Sequence, residues 1–91
     1  MWHFELTQVT ARLFAPGTAF GDPFTTVAQI DLHLDGTAFA HGMLAVDGKP
    51  LRRHHFATLL IQLRKEHSVR VVEALRGRNR VRWSTETLRR I

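Results

Sequence analysis

The stretch Thr26-Val27-Ala28-Gln29-Ile30-Asp31-Leu32-His33-Leu34-Asp35-Gly36-Thr37-Ala38-Phe39-Ala40-His41-Gly42 decides the fold. Its first half alternates, with Ala28, Ile30, Leu32 and Leu34 on one side and Val27, Gln29, Asp31 and His33 on the other. That period of two marks a strand with one buried face. Asp35-Gly36 is the dipeptide favoured by a two-residue type I′ turn, because both central residues need positive φ. Thr37 to Val46 is then the returning strand. This register pairs Leu32 with Phe39 and Ile30 with His41 on the buried face. It leaves Ala38, Ala40 and Gly42 as a smooth strip on the open face, where small side chains permit close approach. A homodimer or a partner docked on that strip is the expected consequence.

Working outward, Asp47-Gly48-Lys49-Pro50 reads as a second turn, and the period then changes. Phe56, Leu59, Leu60 and Leu63 fall at i, i+3, i+4 and i+7, one stripe of a helix running from Leu51 to His67. Ser68 ends it. Val69 to Leu75 reads as a strand, Arg76-Gly77-Arg78-Asn79-Arg80 as a turn, and Val81-Arg82-Trp83 as a short returning strand. From Ser84 the tail is expected to begin another helix with Ser84 as its N-cap. Upstream, Phe4 to Phe14 reads as one long strand whose apolar parity switches between Leu6 and Val9, the mark of a bulge or bend. Pro16-Gly17 and Gly21-Asp22-Pro23 form the loop that follows. The order β-β-β-α-β predicts an α+β domain: an antiparallel sheet of four to five strands with one helix packed on one face. Its expected core is Phe4, Leu6, Ile30, Leu32, Phe39, Met43, Phe56, Leu59, Leu60, Leu63, Val71 and Leu75.

The 91 residues suit a single domain, 1–91, and the 44% hydrophobic fraction is that of a globular chain. Thirteen Lys and Arg against eight Asp and Glu give a formal charge of +5, and all but Lys49 and Lys65 of those cations are arginine. Arginine forks match phosphate and carboxylate geometry and stack on flat surfaces. A high-GC genome produces the same bias without function. There is no cysteine, which excludes disulfides, thiolate catalysis and Cys-ligated zinc. Met1-Trp2-His3-Phe4-Glu5 lacks the form of a signal peptide, and no window approaches the ~20 apolar residues of a membrane span. The expected location is the cytoplasm of a bacterium or of a phage-infected cell, with no membrane partner.

The feature furthest from chance is the series Arg76, Arg78, Arg80, Arg82, all of one parity and so expected to project largely from one face of a hairpin. Arg70, Arg89 and Arg90 are close in sequence, and Trp83 offers a flat surface of the kind that stacks on bases. This pattern points to a non-catalytic basic module that binds a polyanion or a nucleic-acid-containing complex. An acidic protein surface fits the same charges, as in a small phage-type protein that inhibits a host system or joins a virion. The alternative with no partner is a solvated arm whose charges protect an edge strand. No residue argues for an enzyme. Ser68 and Ser84 are the only serines and neither stands in a G-x-S-x-G setting. The adjacent His54 and His55 point about 100° apart on a helix, and Asp31 with His33 lacks a third ligand, so neither a metal nor another cofactor is expected.

Residues 37–75 resemble the central half of a GNAT N-acetyltransferase. In that family a hairpin strand, a helix whose start binds the cofactor pyrophosphate and a further strand follow in this order, and Leu59-Leu60 stand where paired leucines are frequent. Arg52, His54 and Phe56 occupy the places of the family's loop glycines. The resemblance is therefore to the degenerate GNAT-like proteins of phages. It implies a reduced acyl-CoA-binding domain in which Arg52 and Arg53 contact phosphate by side chain rather than backbone.

Overall fold

The computed structural model describes residues 1–2, 4–14, 24–45 and 51–91, with backbone only at 24–25 and 42–45. The loop expected around Pro16 to Pro23, the turn at Asp47 to Pro50 and the side chain of Met43 lie outside the described residues. The elements are β1 (Gln8–Phe14), β2 (Phe24–Leu32), β3 (Thr37–Ala45), α1 (Arg53–His67), β4 (Val71–Arg76) and β5 (Asn79–Ser84). They form one five-stranded sheet in the order β1-β2-β3-β4-β5, with α1 against one face. The class is α+β. The sheet is mixed rather than antiparallel, because α1 carries the chain back from the end of β3 and starts β4 in the same direction beside it. No helix among the described residues is long and apolar enough to cross a membrane.

The β2–β3 connection departs from the expected turn and reverses the faces. The His33 N–H donates to the Thr37 carbonyl at 2.9 Å, and the Gly36 N–H to the His33 carbonyl at 3.3 Å. Leu34-Asp35-Gly36 is therefore a three-residue loop, with Gly36 at φ +86° supplying the left-handed position such loops need. Asp35 fastens it by accepting from the Thr37 N–H at 2.9 Å and hydroxyl at 2.6 Å. One extra loop residue shifts the register by one, so Ile30 pairs with Ala40, Asp31 with Phe39 and Leu32 with Ala38. Every side chain of β3 near the turn then changes side. Ala38 and Ala40 are buried beneath α1, and Phe39 and His41 occupy the other face. The open strip expected of Ala38 and Ala40 is corrected by this register, and the exposure of Gly42 lies outside the described residues.

The core consists of Ala28, Ile30, Ala38, Ala40, Leu60, Leu63, Val69, Val72 and Ala74, with Leu32, Phe56, Leu59 and Trp83 packed at its margin. Leu60 and Leu63 are the buried positions of α1. Small residues on β3 and β4 let the helix approach the sheet closely, which is why alanines outnumber the large residues expected there. Phe4 and Leu6 are exposed instead, at 91% and 63%, because β1 begins only at Gln8 and its core face uses Val9, Ala11 and Leu13. The parity switch between Leu6 and Val9 marks the start of the strand, not a bend within it. Leu75 is 61% exposed because it lies opposite Arg80 on the face turned away from α1.

Two caps complete the frame. Ser68, at φ 56°, closes α1 by donating its N–H to the Arg64 carbonyl at 3.1 Å. Ser84 accepts from the N–H groups of Glu86 and Thr87 at 3.2 and 3.1 Å, the cap expected of it. No helix follows. A single turn ends at Leu88, φ 62°, and the chain returns beside β5 through a bridge between Trp83 and Arg90. The buried Thr85 anchors that return, with its hydroxyl 2.7 Å from the Val69 carbonyl and 3.0 Å from that of Arg70.

Candidate functional site

Residues 70–91 hold seven arginines and two glutamates, while the cations and carboxylates of residues 1–69 are equal in number. The whole formal charge of the chain thus belongs to Arg70, the β4–β5 hairpin and the C-terminal return. These elements meet through a two-residue turn, Gly77-Arg78, in which Gly77 takes φ +65°. Such a turn pairs Arg76 with Asn79, Leu75 with Arg80 and Glu73 with Arg82. Partners across a hairpin share a face, so parity reverses on passing the turn. Arg80 and Arg82 therefore project from the uncovered face, Arg76 from the face that carries α1, and Arg78 from the tip. The single-faced comb expected of Arg76, Arg78, Arg80 and Arg82 is corrected to an edge with arginines on both sides.

The arginines differ in their engagement. The Glu73 carboxylate lies 3.3 Å from Arg80 Nη1 and 3.6 Å from Arg82 Nε, so one carboxylate is shared by two guanidiniums. Arg80 also lies over the Phe39 ring, 5.4 Å from its centroid. Arg70 reaches the Asp35 carbonyl with a 2.8 Å hydrogen bond and packs against Gly36, so it serves the β2–β3 loop. Among the described residues, no carboxylate pairs with Arg76, Arg78, Arg89 or Arg90, and all four are exposed. Trp83 is not free to stack on a base. It faces α1 and meets Phe56 edge-on at 4.8 Å. The exposed-face aromatic is Phe39, which the expected register had placed in the core.

Arg52 and Arg53 stand at the start of α1, where Arg52 is an extended N-cap without a side-chain hydrogen bond and the first turn holds no acid. His54 and His55 follow with ring centroids 4.0 Å apart. Desolvation, then the neighbouring His54 and Arg52, lower the pKa of His55. Cations at a helix start oppose the macrodipole by roughly 0.3–1 kcal/mol each. Because β3 and β4 are parallel and α1 returns between them, the start of α1 lies at the same end of the domain as the Gly77-Arg78 turn. The two basic groups that are 20 or more residues apart in sequence share one end of the fold.

On the uncovered face a polar cluster joins β1, β2 and β3. The Asp31 carboxylate lies 3.0 Å from the Gln8 amide nitrogen and 3.0 Å from His41 Nε2. The His41 hydrogen bond is the main cause of a lowered Asp31 pKa. Among the described residues, the side-chain partners of His41 are Asp31 and Gln8. A cleft between β1, β2 and α1, lined by Ala11, Leu13, Ala28, Leu51, His55 and Leu59, holds about 90 Å³. That is below the ~300 Å³ usual for small-molecule sites, whereas a second, open cleft of about 540 Å³ lies between the end of α1, the start of β4 and the C-terminal return, lined by Arg64, Ser68, Arg70, Ser84, Glu86 and Ile91. Compared with known proteins, the chain matches no family model, no curated protein and no solved structure.

Proposed function

We propose that this domain is a non-catalytic nucleic-acid-binding module whose contact surface is the β4–β5 hairpin with its C-terminal return. The observation that carries the reading is the confinement of the entire net charge to residues 70–91. Arg76, Arg78, Arg89 and Arg90 are exposed there without a carboxylate partner among the described residues. Unpaired guanidiniums clustered on one edge create a local field that attracts phosphate and give bidentate contacts once it arrives. Arg52 and Arg53, at the same end, extend that field over the start of α1. Binding of mixed-sequence DNA and RNA, followed by fluorescence anisotropy across a salt series, tests the reading. Affinity should fall steeply with salt, and absence of binding at low salt would overturn it.

One observation favours a second reading, an acidic protein partner. Leu75 and Ile91 are 61% and 68% exposed among the arginines, and apolar side chains interleaved with cations suit a protein surface better than a phosphate backbone. Binding that is retained by an acidic polypeptide and lost with nucleic acid would select it. The reduced acyl-CoA-binding domain stands third. Saturable acetyl-CoA binding that Arg52→Ala and Arg53→Ala abolish would bring it forward.

A further inference from the structure

The face of the sheet turned away from α1 carries two aromatic rings at its centre. Phe39 and His41 stand two residues apart on β3, the middle strand, with ring centroids 6.1 Å apart and planes inclined by 17°. The two rings thus lie nearly parallel, one after the other along the strand. Beside them, Arg80 lies 5.4 Å from the Phe39 centroid, and Arg80 and Arg82 together hold the single carboxylate of Glu73. Asp31 is engaged by His41 at 3.0 Å. Arg80 and Arg82 thus share this face with two carboxylates, Glu73 and Asp31, and Arg78 stands at the rim.

We infer that this face is a stacking platform for a single strand of nucleic acid. Phe39 and His41 take bases, and Arg80 and Arg82 take the phosphates between them. The inference rests on the hairpin being a nucleic-acid contact, and it specifies the form of nucleic acid bound. A duplex keeps its base faces stacked on one another, so it meets the arginines but cannot use the rings. A single strand can splay its bases onto them. Arg80 already occupies the Phe39 face as a planar cation. A base arriving there displaces a guanidinium within reach of the adjoining phosphate, which couples stacking to charge neutralisation. Five strands span about 20 Å, room for a short oligonucleotide laid across the sheet toward the hairpin. The half-buried Phe39 ring, covered by the guanidinium of Arg80 and flanked by Arg82 and the rim Arg78, favours this occupant over a second copy of the chain, whose own Arg80 and Arg82 would meet like charges.

The test uses Phe39→Leu, which keeps an apolar side chain and removes the flat ring. Parent and variant are titrated at low salt with a labelled oligothymidylate, an oligouridylate and a short duplex. The expected result is a loss of single-strand affinity of about 5- to 100-fold with less than a twofold change for duplex. Photocrosslinks from a bromouracil-substituted strand to the parent should map to Phe39 or His41, a readout that does not depend on the variant folding. If the parent binds with a steep salt dependence while Phe39→Leu binds single strands unchanged, or crosslinks fall on the hairpin alone, the platform is wrong and the hairpin reading stands. If the parent binds no nucleic acid, the hairpin reading falls and the platform with it.

Discussion

Ala40 is 5% exposed and lies beneath α1 opposite Ile30, so a guanidinium placed there has neither room nor partner. Ala40→Arg combines overpacking, about 1–3 kcal/mol, with burial of an unpaired charge, which costs several kcal/mol more. A domain of 91 residues has a total stability of about 5–14 kcal/mol at 0.05–0.15 per residue. The variant should lose most of that, with a melting temperature at least about 15 °C below the parent or no cooperative transition at all. His41→Arg is the control, since His41 is on the uncovered face and 42% exposed in its side chain. It should melt within about 4 °C of the parent, having kept a hydrogen-bonding nitrogen beside Asp31. Circular dichroism melts of the three proteins decide the matter. If Ala40→Arg melts like the parent while His41→Arg unfolds, the two-residue turn and the opposite register are right, and Ala38 and Ala40 are an open surface after all.

Leu60, 1% exposed on α1, should cost about 2–5 kcal/mol as Leu60→Ala, read from urea unfolding. Gly36→Ala should destabilise by about 1–2 kcal/mol, because Gly36 sits at φ +86° and an added Cβ would meet Arg70 Nε at 2.8 Å. Asp35 has its pKa lowered from 3.8, chiefly by the Thr37 hydroxyl and then by the Thr37 N–H. A lowered folded value means that this carboxylate stabilises the fold fully above the unfolded value and loses the contribution as pH falls through the folded one. Melting temperature should therefore decline below about pH 4, and Asp35→Asn should have a shallower acid limb than the parent.

Much of this fold is legible in the residues, and what is not has local causes. The helix stripe of Phe56, Leu59, Leu60 and Leu63 leaves no alternative period, and the β4–β5 hairpin follows from Gly77 between two apolar runs. The β2–β3 hairpin is equally plain, yet its register depends on whether Asp35-Gly36 closes a loop of two residues or three. Asp35 decides that by bonding to Thr37, a side-chain contact invisible to propensity, and the choice inverts Ala38 and Phe39. The arginine series fails in the same way. Alternation predicts a common face only within one strand, and the Gly77-Arg78 turn separates Arg76 from Arg80 and Arg82. Trp83 packs its bulk edge-on against Phe56 of α1, a contact between helix and sheet that the pattern of β5 alone does not reveal. The mixed sheet follows from the crossover itself, in which a helix of 15 residues returns the chain to the end where β3 began.

The charge reading is tested most directly by the salt slope of binding in a variant that removes only unengaged arginines. Arg76 and Arg78 qualify, since neither pairs with a carboxylate among the described residues and both are exposed. Arg80 and Arg82 do not, because removing them releases Glu73. The parent and Arg76→Ala/Arg78→Ala are titrated with duplex and single-stranded oligonucleotides over a series of salt concentrations. Each lost phosphate contact should flatten the slope of log K against log salt by about 0.9 on duplex and about 0.7 on single strands. The expected result is a slope shallower by up to about 1.8 units on duplex, with a melting temperature equal to the parent's. An unaltered slope in the double variant, or no binding by the parent at low salt, would contradict the assignment of this edge to nucleic acid.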